Sequence, residues 1–519
     1  MTTKKARGWI FAAMLFAVGM TYIDMTIVSI AVPDIQQDLK LSETGVQWVI
    51  NGYLLALSAT FALGGRIADT LGKRRIVTIG IIIFAGASAL CGATPNGSIA
   101  ELWIITFRVL QGIGAALMIP SALSLVIGSF ELDKRGRALA IFFGITSALT
   151  AIGPIAGGYL VQIDWRAIFW INIPIAIIAL ILILIAKPDD SRNPAPVDYR
   201  GAALITGGMA FSVLGLQQAS VWGWGDAKTI GSIIIGTLLI VAFVAHELRT
   251  SEPLIRVRIF GDKAFAADNA VLLMIGPVFV PVFFFASTYA QLSLGNSAVQ
   301  AGVYVLTFFV GFAIASQVGG RILDKRGARS AIIAGTAIAA VGFYLWGSEL
   351  PALSYDSQWY YIILAGSGLG LMLGPANTDA INRAPATASG EATGITQTVR
   401  NYGGSLGLAV LGTILITQNR MNIEETLGKL GLPKAQTDAI AAQLANGNRP
   451  TGSGGAQAAE ILKGIQQSYA QSTQTVFYIM AGLMAAAFVF ALIFVPRGKL
   501  EKVVAEGAYD GPSEAEAAS

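Results

Sequence analysis

The sequence has little of what metal-binding proteins and most enzymes are built from. Only 13% of its 519 residues are charged, and it has one cysteine, Cys91, and one histidine, His246. These numbers exclude an internal disulfide and argue against a cysteine or multi-histidine metal site and against histidine-based catalysis. The sequence also lacks a Gly-x4-Gly-Lys-Ser/Thr loop, so ATP is not the expected energy source. We therefore expect no metal and no cofactor.

What the sequence does have is long apolar runs. Hydrophobic residues make up 54% of the chain. They occur in runs of about 20 residues, the length that a helix needs to cross a bilayer. Fourteen spans are predicted, near 9–31, 45–67, 75–94, 101–128, 136–162, 166–187, 199–220, 229–247, 265–290, 297–322, 328–348, 357–380, 391–418 and 471–496.

Basic residues concentrate in the loops on one side of these spans. If the N-terminus is cytoplasmic, the inner loops hold most of the Lys and Arg, and the short outer loops hold only Lys40, Arg166 and Lys228. This bias predicts that both termini lie in the cytoplasm. It also explains the net charge of +4 better than a nucleic-acid-binding face does, so no nucleic acid partner is expected.

A basic, glycine-containing stretch occurs twice, each time between two apolar runs. Residues 64–75 and 319–330 are identical at seven positions, which indicates two related halves. The first copy joins spans 2 and 3, whereas the second joins spans 10 and 11. Two six-helix halves would put the second copy two spans earlier. The sequence therefore predicts an all-α membrane fold of 14 helices in a 6 + 2 + 6 arrangement.

Polar segments divide the chain into regions. Residues 1–188 are predicted to form an N-terminal six-helix bundle, and residues 189–263 a linker with two inserted helices. Residues 264–497 would form the C-terminal bundle and residues 498–519 an acidic cytoplasmic tail. Within the C-terminal bundle, the polar segment 419–470 has Leu and Ala at helical spacing. It predicts a helical hairpin over the outer face, either a lid or a neutral insertion.

Two charged residues fall inside predicted membrane helices at similar depth. Asp24 of span 1 and Arg108 of span 4 both lie in the outer half of the bilayer when depth is counted at 1.5 Å per residue. A charge in hydrocarbon costs at least a few kcal/mol, so such residues face a cavity or each other. Two interpretations are open: a fixed ion pair that locks two helices, or a carboxyl group that exchanges a proton beside an arginine.

Four motifs follow one another along the chain. They are the end of span 1 (24–33), the basic loop 65–75, the Arg-x-x-Gln-Gly stretch of span 4 (108–116) and the Gly-Pro-x-x-Gly-Gly stretch of span 5 (153–158). In this order they resemble the fourteen-helix drug/proton antiporter branch (QacA/EmrB type) of the major facilitator superfamily. The similarity extends over residues 10–497.

The resemblance implies a function and the residues that carry it. It implies a multidrug efflux antiporter in a bacterial cytoplasmic membrane, which exports lipophilic, monocationic or neutral compounds by alternating access, driven by the proton gradient. Asp24 and Arg108 would couple protons to transport. The remaining roles are an antiporter motif of Gly153, Pro154, Gly157 and Gly158, and gating by Gly65, Asp69, Gly72, Arg74, Arg75, Glu131, Asp133, Asp324 and Arg400.

Physical chemistry gives the residues of the basic loop separate roles. Gly65 permits close packing and Gly72 a tight turn. Asp69 at the N-terminus of a partner helix would be favoured by roughly 0.3–1 kcal/mol. For Arg400, gating and snorkelling towards the inner surface are both open. Ion pairs that hold an inner gate shut are expected between neighbouring loops: Arg74 or Arg75 with Glu131 or Asp133.

The sequence departs from the branch at two places. Leu149 stands where a glycine usually precedes the antiporter Gly-Pro, so close packing of span 5 is less assured there. The C-terminal half also lacks an acid in the middle of a span, because Asp268, Asp379 and Glu391 all lie near inner helix ends. Family members that handle divalent cations often use such an acid, so divalent cations are not expected as substrates.

A substrate cavity is expected between the two halves at mid-membrane. An apolar, aromatic cavity with one buried acid suits lipophilic monovalent cations. Core packing is the alternative for any single phenylalanine. Span 9, with Gly276, Pro277 and Pro281, is predicted to be a broken helix. The candidate cavity residues are Tyr22, Asn51, Gln111, Phe283, Tyr289, Asn377 and Gln397.

Other functions remain open on the same sequence. The same fold could export a self-made metabolite, antibiotic or lipid. A membrane-embedded enzyme would need a cluster of catalytic side chains that one histidine and one cysteine do not supply. A channel would give flux that does not saturate. The partners expected for an exporter are small molecules, protons and the lipid bilayer, and a monomer is predicted.

Overall fold

Helices make up the regular structure of the described part of the chain. The computed structural model describes residues 4–130, 132–188, 190, 196–383, 389–430, 432–433, 436–437 and 456–498, and it has no β-strand among them. Fourteen stretches are long and apolar enough to cross a membrane. This confirms the predicted all-α fold and the predicted number of spans.

The helices fall into three groups along the chain. The first group is α1 (Lys4–Leu39), α2 (Glu43–Leu71), α3 (Lys73–Gly92), α4 (Ala100–Ser129), α5 (Leu132–Ile163), α6 (Ala167–Trp170) and α7 (Asn172–Ala186). The inserted pair is α8 (Tyr199–Trp222) and α9 (Ala227–Glu247). The third group is α10 (Lys263–Phe279), α11 (Pro281–Leu292), α12 (Ala298–Arg326), α13 (Ala328–Glu349), α14 (Trp359–Arg383), α15 (Ser389–Lys429) and α16 (Ala456–Phe494).

The ninth span is broken, as its prolines predict. Helix α10 ends at Phe279 and α11 begins at Pro281, because a proline removes a backbone donor and clashes with the preceding turn. Glycines bring α10 against α15. A Cβ atom on Gly276 would lie 2.4 Å from the carbonyl oxygen of Arg400, a distance that a side chain does not tolerate. The break and the close packing together hold the first span of the C-terminal half against α15.

The two copies of the basic loop make the same turn. Gly72 follows α2 with φ +107°, and Gly327 follows α12 with φ +85°, conformations that favour glycine. Each turn reverses the chain directly into the next helix, α3 or α13. The repeat in the sequence is therefore also a repeat in the backbone.

The close approach predicted for Gly65 is made by the preceding glycine. A Cβ atom on Gly64 would lie 2.2 Å from the carbonyl oxygen of Ala116 in α4, whereas one on Gly65 would lie 3.6 Å from Pro120, an ordinary contact. The second copy shows the same difference, because Gly319 faces the backbone of α14 and Gly320 faces open space. In each pair, the first glycine lies on the face of its helix that packs against the neighbouring helix, α4 or α14.

The inserted pair is tied together at its loop ends. Asp198 caps the N-terminus of α8 through the Gly201 amide (2.9 Å), and His246 near the end of α9 lies 2.8 Å from the same carboxyl group. Burial alone would raise the pKa of Asp198, but these hydrogen bonds outweigh it and lower the pKa. His246 thus has a structural contact at a helix end.

Helices α15 and α16 are much longer than a bilayer is thick. They contain 41 and 39 residues, or about 60 Å each, against about 30 Å of hydrocarbon. Their excess lengths pair antiparallel, with Asn422 Nδ2 2.9 Å from Ser472 Oγ and Ser468 Oγ 3.0 Å from Thr426 Oγ1. The predicted hairpin over 419–470 is thus built on continuations of two spans, and its tip lies outside the described residues.

The molecule has two distinguishable ends. We call the end with Lys4 and the last turn of α16 the terminal end, and the opposite one, where α15 and α16 project, the hairpin end. The two halves meet where α5 packs on α12 and α2 packs on α15. Gly158 lies against the backbone of Val299, and Asn51 accepts a 2.6 Å hydrogen bond from Ser405. The domain boundaries 188/189, 263/264 and 497/498 stay predictions.

Candidate functional site

Asp24 and Arg108 form a buried ion pair in the N-terminal half. Arg108 Nη1 lies 2.6 Å from Asp24 Oδ2, and both side chains are 1% exposed or less. Two amides complete the carboxylate shell: Gln111 Nε2 donates to Oδ1 at 2.8 Å, and Asn172 Nδ2 donates to it at 3.1 Å. The side chains come from α1, α4 and α7. The structure therefore brings together the two residues that the sequence predicts for proton coupling.

The guanidinium group of Arg108 is held from several sides. Its Nε donates to the carbonyl oxygen of Val49 at 2.7 Å, and its Nη1 also donates to Gln111 Oε1 at 2.7 Å. The group lies 4.6 Å from the centre of the Tyr53 ring, in cation–π contact. These contacts fix the position of the guanidinium group beside Asp24.

Asn172 is a residue of this site to which the four sequence motifs assign no role. Its amide nitrogen reaches both Asp24 and Ser88 Oγ (3.0 Å), and Ser88 donates to the carbonyl oxygen of Phe169. This chain of contacts positions the carboxyl group from α3 and α7. A polar residue in the apolar stretch 172–186 was the available signal.

The chemistry of this site follows from its charge balance. One carboxylate and one guanidinium are neutral together, which makes their burial tolerable. A proton on Asp24 removes the negative charge, leaves Arg108 uncompensated and weakens the hydrogen bonds that the two amides donate. The contacts that a proton on Asp24 would weaken are those that join α1, α4 and α7.

The antiporter motif ties α5 to the helix that carries Asp24. Pro154 cannot donate to the carbonyl oxygen of Thr150, and the hydroxyl group of Thr26 donates to that oxygen at 3.0 Å. Gly153 and Gly157 make room for α1, since a Cβ atom on Gly153 would lie 2.0 Å from Thr26 Oγ1. The proline and the glycines thus make one contact between the two helices.

The same segment reaches the other half of the protein. Gly158 lies against the backbone of Ala298 and Val299 in α12, and Gly302 of α12 lies against the carbonyl oxygen of Pro154. Helix α5 therefore contacts both the Asp24 helix and the C-terminal half. A rearrangement at Asp24 has a direct packing route to the interface between the halves.

Leu149 is matched by a glycine on the facing helix. A Cβ atom on Gly19 of α1 would lie 2.6 Å from Leu149 Cδ1. Because Gly19 has no side chain, α1 leaves room for the side chain of Leu149. A glycine at position 149 would provide this room from the side of α5. Close packing of α1 on α5 survives the departure from the family pattern.

The basic loop makes contacts that the sequence does not predict. Asp69 lies 3.6 Å from Lys73 in an i,i+4 ion pair and is half exposed. The side chains of residues 131–137 at the start of α5 lie outside the described residues, so the contact of Asp69 with a partner helix stays a prediction. Asp190 of the linker accepts a 3.0 Å hydrogen bond from the Arg74 amide, a contact that the sequence does not reveal. Arg75 is exposed. Glu131 and the side chain of Asp133 lie outside the described residues, so pairing with them stays a prediction.

The second copy of the loop is anchored differently. Asp324 is exposed. Arg329, which aligns with Arg74, donates to the carbonyl oxygens of Leu492 (2.6 Å) in the last turn of α16 and of Val495 directly after it. A cation there satisfies carbonyl groups that lack a helical partner. Arg400 donates to Gln397 of its own helix, which decides neither of its two predicted roles.

The seven predicted cavity residues make contacts in several different parts of the protein. Gln111 belongs to the Asp24 shell, and Asn51 bonds Ser405 across the halves. Phe283 stacks on Phe309 with ring centres 5.0 Å apart, within an aromatic core. For Phe283 the core-packing alternative describes the structure better.

The other four predicted cavity residues lie in other parts of the protein. The hydroxyl group of Tyr289 donates to the carbonyl oxygen of Leu350 at 2.7 Å inside the C-terminal half. Asn377 donates to Leu373 at 2.8 Å in its own helix, and Gln397 holds Arg400. Tyr22 is partly buried beside the core of the N-terminal half. A shared role of the seven in binding substrate stays a prediction.

A second buried charge cluster lies near the terminal end of the C-terminal half. Arg383 Nε is 2.7 Å from Asp379 Oδ2 and 3.2 Å from Asp268 Oδ2. Asp268 is fully buried, and neither of its oxygens accepts a well-aligned hydrogen bond within the described residues. The sequence places these acids at helix ends but does not reveal that one arginine serves both.

Comparisons with known proteins agree with this fold and these motifs. The family model described as Major Facilitator Superfamily matches residues 14–408. The chain is 36% identical over 422 residues to the tetracenomycin C resistance and export protein of Streptomyces glaucescens, covering 80% of this chain and 77% of that one. It is 33% identical over 408 residues to the cephamycin export protein of Amycolatopsis lactamdurans, covering 76% and 82%.

A solved structure shows the same fold at low identity. The xylose transporter XylE from E. coli, in a partially occluded inward-open conformation, has a TM-score of 0.59 and 12% identity, covering 95% of this chain and all of that one. Members of the family move small molecules across membranes. The chain therefore belongs to the Major Facilitator Superfamily, as a multi-pass membrane transporter and not an enzyme.

Proposed function

We propose that this protein is a proton-coupled exporter of lipophilic, monocationic or neutral compounds. The observation that carries the proposal is the Asp24–Arg108 pair, a neutral, fully buried charge pair whose carboxyl group is held by two further amides. Carboxyl groups inside membrane helices occur in fixed ion pairs, in ion or substrate pathways and in proton relays, and the proton relay is the role proposed here. Two relatives are named export proteins, which supports the outward direction.

The proposed orientation puts the terminal end in the cytoplasm and the hairpin end outside. It rests on the excess of Lys and Arg in the loops of the terminal end. The membrane is then a bacterial cytoplasmic membrane. The proton gradient across it is the energy source, and no cofactor takes part. We propose a monomer, in which both halves belong to one chain.

The proposed cycle couples a proton to the exchange of the two open states. A proton from outside binds Asp24, Arg108 loses its partner, and α1 shifts against α5. Because α5 also contacts α12, the shift alters the interface between the halves. Loss of the proton to the cytoplasm restores the ion pair and the starting state. The basic loops with Gly72 and Gly327 act as the gate on the cytoplasmic side.

A second candidate is export of a compound made by the producing cell itself. The names of the two relatives favour it, since one includes tetracenomycin C and the other cephamycin. Both candidates use the same fold and the same proton site. They differ only in the compounds that bind.

The test is transport in inside-out vesicles with an imposed pH gradient. A panel of fluorescent organic cations and neutral lipophiles, together with polyketide and β-lactam antibiotics, is offered from outside the vesicles. We expect saturable accumulation that a protonophore abolishes and that ATP does not change. Accumulation that ignores the protonophore contradicts proton coupling, and non-saturating downhill flux points to a channel. The compounds that saturate transport decide between the two candidates.

A further inference from the structure

A cavity of about 470 Å³ lies at the hairpin end, between the two halves. Residues of α1, α2, α11, α15 and α16 line it, so both halves and the hairpin contribute. Its volume falls in the range of about 300–1,000 Å³ that is usual for sites of drug-sized ligands. The cavity is therefore large enough for one such molecule.

The hairpin supplies one wall of this cavity. Ile423 of α15 and Leu462, Ile465 and Tyr469 of α16 line it, and all four lie on or beside the paired continuations of the two helices. Phe284 of α11 provides a second aromatic ring. Apolar and aromatic side chains of this kind bury a lipophilic body and attract a cation to the ring faces.

The charge of the cavity has one sign. Among the described residues that line it, the charged ones are Asp34 and Glu43, and both are acidic. Arg420 interacts electrostatically with Glu43 but does not line the cavity. An organic cation inside would therefore meet the carboxyl group of Glu43.

Two side chains in the lining have unmet hydrogen-bonding capacity. Gln47 is 2% exposed and Asn419 is 9% exposed, and neither amide oxygen accepts a hydrogen bond from a described residue. A buried acceptor without a donor costs about 1–3 kcal/mol. A ligand that carries N–H or O–H groups, together with a small turn of each amide, would satisfy both oxygens.

The cavity is separate from the Asp24 site. Asp24, Arg108, Gln111 and Asn172 are fully buried, and none of them lines it. On the side towards the Asp24 site, Gln291 Nε2 donates to the carbonyl oxygen of Ile30 at 2.9 Å, which joins α11 to α1 across the halves. Contact between the halves thus divides the two sites.

We propose that this cavity is a second substrate site, which holds an amphipathic, monovalent organic cation on the hairpin side before release. Glu43 attracts the charge, the aromatic and aliphatic side chains bury the body, and Gln47 and Asn419 accept its polar hydrogens. The hairpin closes one side of the site. The inference rests on the proposed export function only for the direction in which the cation passes.

The first experiment measures equilibrium binding of ethidium, an aromatic monocation, to the purified protein in nanodiscs. Glu43→Gln keeps the shape and removes the charge, so ethidium affinity should fall about tenfold, as for the loss of one charge-assisted contact. The matched control is Glu424→Gln, an exposed acid next to Ile423 that does not line the cavity. It should bind ethidium like wild type. A neutral lipophile of similar size should be insensitive to Glu43→Gln.

A second variant tests the site through its volume. Ile423→Trp fills the cavity from the hairpin wall and should remove one bound ethidium per protein, with the melting temperature close to that of wild type. Neither measurement uses a pH gradient, so failure of proton-driven transport leaves this test intact. Wild type that binds no ethidium overturns the second site. Unchanged ethidium affinity in Glu43→Gln also overturns it, and so does an unchanged number of bound ethidium molecules in Ile423→Trp.

Discussion

The two halves of this transporter each bury a charge cluster, and the clusters are built differently. In the N-terminal half one acid faces one base, and Asp24 accepts hydrogen bonds from Arg108, Gln111 and Asn172. In the C-terminal half two acids share one base, Arg383, and Asp268 accepts no well-aligned hydrogen bond within the described chain. In the first cluster one base balances the acid, which accepts three hydrogen bonds, whereas in the second the described residues place two acids beside one base.

The difference indicates where a proton changes the structure. In the N-terminal cluster a proton on Asp24 would weaken the contacts that join α1, α4 and α7. In the C-terminal cluster a proton on one acid only removes excess charge, and the 2.7 Å pair of Arg383 with Asp379 is kept. We therefore expect the first cluster to drive transport and the second to hold α10 against α14.

The largest expected effect is that of Asp24→Asn. The amide fits the site but carries no transferable proton, so gradient-driven export should be abolished while the fold is kept. Uptake into inside-out vesicles measures export, and thermal unfolding in detergent measures the fold. Asp268→Asn is the matched control in the other half and should still transport. Normal uphill transport by Asp24→Asn would remove this residue from proton coupling.

The next largest effect is on stability. Among the residues that the structure describes, Arg383 is the base that contacts Asp268 and Asp379. Arg383→Met leaves their buried charge unpaired and should lower the free energy of unfolding by about 3–5 kcal/mol. Arg108→Ala should act similarly in the N-terminal half and should also impair export. Chemical denaturation of the purified variants measures both. Wild-type stability in Arg383→Met would mean that both acids are already neutral in the folded protein.

A third, smaller effect is expected from substitutions in the two copies of the basic loop, residues 64–75 and 319–330. Asp69→Asn should slow transport and largely retain substrate binding, because the gate is upset while the binding region is untouched. Asp324→Asn should be milder, because Asp324 is exposed and Arg329 of its loop is anchored to α16. Transport rates and ethidium affinities of the two variants test this. Equal loss of binding and transport in Asp69→Asn would indicate a folding role instead.

The smallest effect on stability is expected at Asp268, the second acid beside Arg383. Asp268→Asn removes a buried carboxyl group that has no good donor, so stability should change by less than about 1 kcal/mol or rise. Asp379→Asn should cost more, because it breaks the shorter contact with Arg383. Unfolding curves of the two variants, compared at one pH, give the order. A larger loss in Asp268→Asn would reverse the assignment of the partner of Arg383.

The sequence by itself determined the features that depend on local pattern. The length of each apolar run sets the fourteen spans. The repeated glycine turn sets the relation of the halves, and the rise per residue puts Asp24 and Arg108 at one depth. The proline pair Pro277 and Pro281 sets the break in the ninth span. Each of these follows from a few neighbouring residues and the thickness of a bilayer.

Only the tertiary structure decided which faces of the helices meet. Helix rotation puts Gly64 rather than Gly65 against α4, and Gly19 opposite Leu149. It brings Asn172 to Asp24 and puts Asp268 beside Arg383. In a membrane every helix is apolar on most sides, so the sequence pattern carries little information about rotation. The rotation of each helix about its axis is set by the close packing of particular side chains, and this packing exists only once the bundle has formed.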